Sequence, residues 1–348
     1  MTIDCDDRYG INRRHALHRV ISIGAASVLA VSVDLAKSLN LLASAAAQAS
    51  PTVPIIVRDK MSLFGQIVLA GARKAGQDLN VNVLELGPDS ESNADGQIGI
   101  LQNIMRSTPA AIVIAPARSA ALQKAIDGAR RKVKIIGIDS AADPNSFISA
   151  VRIDNVAVGR LAADALATAI QRTYADAEGD VAMITASSGV ASLDQRAQGF
   201  KKQIATTYGA LDIVAENVGD GQVASGFTMM MSIIEAHSEL RGVFASNLAM
   251  ARGAAQALAE KKGNKLGERI NLVGFGFDDA LIQMVRDGTV AGLIVQDPFR
   301  MGYDSIRIAV AASRGEHVPS NIDTGIYLVT KANVDAPRSQ ELLRPKVN

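Results

Sequence analysis

Cysteine occurs once, at Cys5, and histidine four times. One thiol excludes a disulfide within the chain. The amino-terminal segment has the form of a cleavable leader, and its loss would remove Cys5 and leave only His237 and His317. Those two are too few and too far apart in sequence for a histidine metal site. Neither sign of charge is in excess, with Lys plus Arg 36 against Asp plus Glu 35. Nucleic-acid binders carry a basic stripe that neutralises phosphates, so no nucleic-acid partner is expected. The local cluster Arg130-Arg131-Lys132 falls where a helix should end, a place where cations favour the helix dipole. No G-x-S-x-G elbow lies in the loops that matter below. Gly274-Phe275-Gly276 is followed by Phe277, Asp278 and Asp279, so the third glycine of a dinucleotide loop is missing.

The 348 residues are 48% apolar and 20% charged, ordinary for globular protein and enough for roughly two domains. The first 49 are different. Asn12-Arg13-Arg14-His15 precedes the uncharged run Val20 to Val33, fourteen residues long, and an Ala-rich stretch ends in Ala47-Gln48-Ala49. A membrane span needs about 20 apolar residues. A basic start, a short apolar run and an A-x-A site describe a signal peptide over residues 1–49. The paired arginines suggest the twin-arginine route, although His15 and Ala16 depart from its fuller motif. An uncleaved amphipathic anchor is the alternative.

From Pro51 onward β-branched runs alternate with helical patterns. "VPIIV" leads to a helix with Phe64, Ile67, Val68, Gly71, Ala75 and Leu79 on one face; "VNVLEL", "AIVIAP" and "VKIIGID" follow, with helices between them. The order recurs with "DVAMITAS", a helix over Gln195–Thr206, "DIVAENV", "GVFASN" and "INLVGFG". Uncharged strands spaced by helices predict parallel sheets covered on both faces. The fold class is therefore α/β: two Rossmann-like lobes, each a parallel sheet flanked by helices. Ligands of such sheets bind outside the carboxyl ends of the strands. Those ends carry Arg58-Asp59-Lys60, Ala115-Pro116, Asp139-Ser140, Ser187-Ser188, Gly219-Asp220, Ser246-Asn247 and Phe275-Gly276.

The motifs "GIDS", "VRIDNVAVGRLAADAL", "DQRAQGFKKQI", "LVGFGFDDALIQMVRDGTVAGLIVQDP" and "MGYDSIRIAV" occur in that order. From about Val53 to Lys331 the chain resembles the periplasmic sugar-binding proteins of the ribose and galactose type, which feed bacterial ABC importers. The resemblance implies a three-strand hinge with crossings near Ile153, Gln296-Asp297 and Asp323. It places residues 50–153 with 297–323 in the amino-terminal lobe, and 154–296 with 324–348 in the carboxyl-terminal lobe. It also implies a monomer in the periplasm that closes on a sugar or polyol, hands it to permease subunits, uses no cofactor and catalyses nothing. Presentation of the closed form to a chemoreceptor or sensor kinase is the alternative, and an exported glycosidase with Asp139 and Asp278 or Asp279 as its carboxylate pair a remote one.

The resemblance carries Phe64 over as a stacking aromatic, Asp139 as a hydroxyl acceptor and Arg196 as the forked donor of an R-x-x-G-F motif. Asn247 and Gln296 are implied amide contacts, and Phe275 a second aromatic. Core packing competes for Phe64 and Phe275, a helix-cap role for Asn247, and hinge pinning for Gln296. The chain departs from the family pattern in Gly65 for a second aromatic, Ser140 for arginine, and Gly276 for an aspartate, with Asp278 two positions on. Arg58 and Lys60 on the first loop, with Arg118 on the third, suggest an acidic or modified sugar. Facing water is the competing role for these cations.

Overall fold

The computed structural model describes residues 51–90, 93–117, 119–141, 145–186, 188–261 and 269–344. The expected signal peptide with Cys5, and also Arg118 and Ser187, lie outside the described residues. The first sheet contains β1 (Thr52–Ile56), β2 (Asn82–Leu86), β3 (Ala111–Ile114), β4 (Lys134–Ile138) and β5 (Ser149–Arg152). Between these strands run α1 (Leu63–Leu79), α2 (Ala94–Ile104) and α3 (Ser119–Arg130). A late strand, β11 (Asn321–Asp323), completes the order β11-β5-β4-β3-β1-β2, and every pair in it is parallel.

The second sheet repeats the plan. It follows α4 (Asn155–Tyr174) and holds β6 (Gly179–Thr185), β7 (Leu211–Val218), β8 (Leu240–Ala245), β9 (Asn271–Phe275) and β10 (Gly292–Gln296). Its own helices are α5 (Ala191–Thr207), α6 (Val223–Ala236), α7 (Leu248–Glu260) and α8 (Asp279–Asp287). With β12 (Ile326–Val329) the order is β12-β10-β9-β8-β6-β7, and only β12 runs antiparallel to its neighbour. Two lobes of the same winding were legible in the alternating runs, and the sheets have it.

Burial on both faces explains why the strands are uncharged. In β3, Ala111 and Val113 face one apolar cluster while Ile112 and Ile114 face another, beneath Leu101, Leu122 and Ile126 of α2 and α3. In α1 the inward stripe is Ile67, Val68, Gly71 and Ala75, with Phe64 and Leu79 half-buried at its ends. Ser62 caps that helix by accepting from Gly65 N at 3.0 Å, and Asn80 ends it in the left-handed conformation. A side-chain cap of this kind satisfies one of the amides that a helix start leaves unpaired.

The chain passes between the sheets three times: after β5, after β10, and between β11 and β12. After the second passage α9 (Pro298–Ser313) packs on α1, back on the first sheet. The passages are bonded to each other. Thr324 N donates to Arg152 O at 3.1 Å, and Gln296 pairs with Ile326.

The segment after Lys331 ends in α10 (Pro337–Leu343), because Leu342 and Leu343 are buried in the second lobe's apolar cluster. One expectation is corrected. Helix α5 starts at Ala191, not Gln195, so Arg196 stands in its second turn and the first turn carries Ser192 and Leu193.

Candidate functional site

In both sheets the strand order reverses at the first strand of the lobe, between β1 and β3 and again between β6 and β8. Such a reversal leaves a crevice at the carboxyl edge, because the adjoining loops leave in opposite directions. A cavity of about 570 Å³ lies there, lined by loops from both lobes. Arg58 and Ala117 reach it from behind β1 and β3, and Ala186 and Asn247 from behind β6 and β8. Its size falls in the range of small-molecule sites.

The cavity wall carries buried charge. Asp139, just beyond β4, takes φ +54°, a left-handed conformation that aspartate tolerates better than most residues. Its Oδ2 meets Arg58 Nη2 at 2.8 Å and accepts from Ser140 Oγ at 3.2 Å. Across the cleft Arg196 is 4% exposed. Its Nε donates to Asn155 Oδ1 at 2.9 Å, its Nη1 donates to Ser246 O at 2.8 Å, and the guanidinium lies 3.5 Å from the centroid of Phe275. Burial pushes this guanidinium down to about 10, opposed by the nearby Asp139 carboxylate and assisted by Arg58. It therefore stays charged at neutral pH, at a desolvation cost.

The R-x-x-G-F spacing now has a mechanical reading. Gly199 lies on the face of α5 that touches α4, where a Cβ would come 2.1 Å from Val156 O. Phe200 is fully buried and stacks on Phe244 of β8 with centroids 5.0 Å apart. The helix is thus clamped on two sides, which fixes where Arg196 enters the cleft.

Gln296 ends β10 in the cavity wall, and its buried Oε1 has no hydrogen-bond partner among the described residues. An acceptor left so costs about 1–3 kcal/mol unless something donates to it. Asn247 lines the cavity and also caps α7, accepting from Met250 N at 3.2 Å, so the cap role weighed for it is present at the cavity wall. Phe64 and Phe275 line the cavity as well, and both also pack against the core.

Ser140 is buried behind Asp139 and does not line the cavity. Asp278, expected at the cleft, is elsewhere: it caps α8 through Leu281 N at 2.9 Å and pairs with Arg252. The two-residue offset from Phe275 carries it past the strand end into the helix start, and neither it nor Asp279 joins Asp139 at the cavity. Arg58 and Lys60 are not outward cations awaiting an anion. Arg58 faces Asp139, and Lys60 Nζ donates to Glu85 O at 3.5 Å. Two of the three cations behind the acidic-ligand expectation are thus already paired.

Two residues of consequence were not singled out from the sequence. Asn155 holds Arg196 just past the first passage between lobes, and its place in "VRIDNVAVG" beside the crossing was a usable signal. Gln97, fully buried, donates to Val57 O at 3.1 Å and Ala115 O at 2.7 Å and accepts from Ala117 N at 2.9 Å. It ties the loops after β1 and β3 together, and nothing local marks it. Among the described residues no three His, Cys, Asp or Glu side chains converge as a metal site would require.

Comparison with known proteins gives a consistent result. The family described as periplasmic binding protein domain matches residues 54–317. The ribose import binding protein of Escherichia coli K12 is 26% identical over 297 residues, 85% of this chain and 96% of its own length. A carbohydrate transporter solute-binding protein from Agrobacterium radiobacter, solved with D-arabinose, is 49% identical with a TM-score of 0.80, covering 85% of this chain and 99% of that one. A solute-binding protein from Agrobacterium vitis with bound D-fucose is 28% identical with a TM-score of 0.75, covering 84% and 99%.

Proposed function

The chain belongs to the periplasmic binding protein family, whose members bind substrates without catalysis, and we propose that it captures a monosaccharide in the interlobe cavity and delivers it to an ABC permease. The observation that carries this is the buried Gln296 Oε1, an acceptor without a donor among the described residues, in a cavity that both lobes wall. A sugar hydroxyl supplies that donor. Asp139 accepts from hydroxyls of the same ligand, Arg196 and Asn247 donate to its oxygens, and Phe64 covers the apolar C–H face of the ring. The relatives' names support a sugar, because those proteins are described as importing ribose or as holding D-arabinose and D-fucose.

The moving bodies are residues 50–153 with 297–323 and residues 154–296 with 324–348, working as a monomer in the periplasm after export by the leader. Closure is favoured only by contacts the ligand makes in the closed form and not in the open one. Asp139 and Arg58 hold the sugar on one lobe, and Arg196, Asn247 and Gln296 add the second lobe's contacts when the hinge closes.

Thermal unfolding against a panel of neutral pentoses, hexoses, deoxy sugars and polyols tests this reading. A ligand at 1,000 times its dissociation constant adds about 4 kcal/mol of stability, which raises the midpoint by several degrees in a chain of this size. A panel without a single shift, on protein first unfolded and refolded to strip carried-over ligand, refutes it.

A further inference from the structure

We propose that Gln97, which does not line the cavity, is the positioning residue for the first lobe's half of the site, because it fixes the loop that presents Arg58. The inference rests on the sugar-binding reading above and deepens it.

Gln97 is the fourth residue of α2, a helix that Asn93 caps by accepting from Gly96 N at 2.8 Å. Its side chain enters the gap where β1 and β3 part. The last bond between those strands runs from Ala115 N to Ile56 O at 2.8 Å. Beyond it the two chains diverge. Val57 O and Ala115 O then accept from Gln97 Nε2 at 3.1 and 2.7 Å, and Gln97 Oε1 accepts from Ala117 N at 2.9 Å. Val57, Ala115 and Gln97 are all buried, and a carbonyl buried without a donor is costly. A primary amide offers two donors and an acceptor in one plane, which glutamate and methionine do not.

The second sheet closes the same gap differently. Its last bond between β6 and β8 runs from Ser246 N to Ile184 O at 2.9 Å, and Ser246 O, the counterpart of Ala115 O, accepts from Arg196. There the plug is the cavity-lining arginine itself. In the first lobe the plug is an uncharged amide behind the wall, and the residues it holds do the facing. Val57 immediately precedes Arg58, whose Nη2 meets Asp139 Oδ2 at 2.8 Å, and Ala117 lines the cavity. One side chain thus sets the spacing of the loops after β1 and β3, and with it where Arg58 stands against Asp139.

Calorimetric titration of the full-length protein with the sugars of the thermal panel, D-arabinose, D-ribose and D-fucose first, tests this through double-mutant cycles. Gln97→Met should weaken the sugar that the wild type binds best by about 30-fold. In an Arg58→Ala background the same change should cost less than about threefold, because the group it positions is gone. In an Asn247→Ala background, which removes a contact of the other lobe, it should still cost about 30-fold. A merely structural role costs the same factor in all three backgrounds; that result overturns the proposal and leaves sugar capture standing. An affinity of Gln97→Met within about threefold of wild type overturns it too. Gln97→Glu, which keeps the acceptor for Ala117 N, runs through the same cycles should Gln97→Met not fold. Amide exchange reads the tie without any substitution. The Ala117 amide should be protected about as well as that of Ala115, and exchange as fast as an open loop overturns the proposal. Failure of the wild type to bind any sugar of the panel removes the sugar-binding reading and the proposal with it.

Discussion

Arg196→Ala should lower sugar affinity by about 1,000-fold, or about 4 kcal/mol, with a smaller loss of fold stability. Three separate groups depend on this side chain. Ser246 O and Asn155 Oδ1 lose their donor, and a stranded buried acceptor costs about 1–3 kcal/mol. The Phe275 ring loses a cation at 3.5 Å, worth up to about 2 kcal/mol when desolvated. Against these stands relief of the cost of burying the charge, which is what pushes the guanidinium down to about 10. Stability should therefore fall by only about 2 kcal/mol, less than the sum of the losses. Binding has no such offset, because the second lobe's charged donor disappears from the closed site. Arg196→Lys keeps the charge but has neither the fork nor the flat face, so it should still cost about 100-fold. Calorimetric affinities of the two variants, with urea unfolding beside them, check this. An alanine variant within tenfold of wild type would show that Arg196 is a structural cap.

Gly199→Ala should lower the unfolding midpoint by about 5 °C and weaken binding at the same time. A methyl here meets Val156 O at 2.1 Å and Val156 Cα at 3.1 Å, both backbone, so no side chain can rotate away. The helices must separate, and overpacking of this kind costs about 1–3 kcal/mol, or roughly 2 °C per kcal/mol in a chain of this length. Because Arg196 is on the same helix, the shift also moves it against Asn155 and Ser246. Thermal unfolding and titration on one preparation read both effects. A variant as stable as wild type would mean that α4 and α5 are not in backbone contact at this point.

Much of the architecture was readable because parallel strands covered on both faces must be uncharged, and "AIVIAP" and "GVFASN" cannot easily be anything else. The strand ends then located the cleft, since ligands of such sheets gather there. Charge partners were not readable. Arg58 and Asp139 are 81 positions apart, and they meet at 2.8 Å because both follow strands that end at the same edge of one parallel sheet. Read alone, Arg58 was a cation in search of an anionic ligand; in the structure it faces Asp139. Asp278 failed for a local reason. A carboxylate directly before a helix is as well suited to capping as to binding, and capping was decided by a two-residue offset that sequence alone leaves open. Gln97 carries no motif at all, because its role lies in three backbone groups of two distant loops.

The most direct test of the central claim is a crystal structure of the protein with the sugar that raises its unfolding temperature most. The expected density is one ring between the lobes, with hydroxyls on Asp139 and Gln296 Oε1 and oxygens facing Arg196 and Asn247. Density outside the cleft, or a sugar that leaves Gln296 Oε1 unengaged, would contradict it.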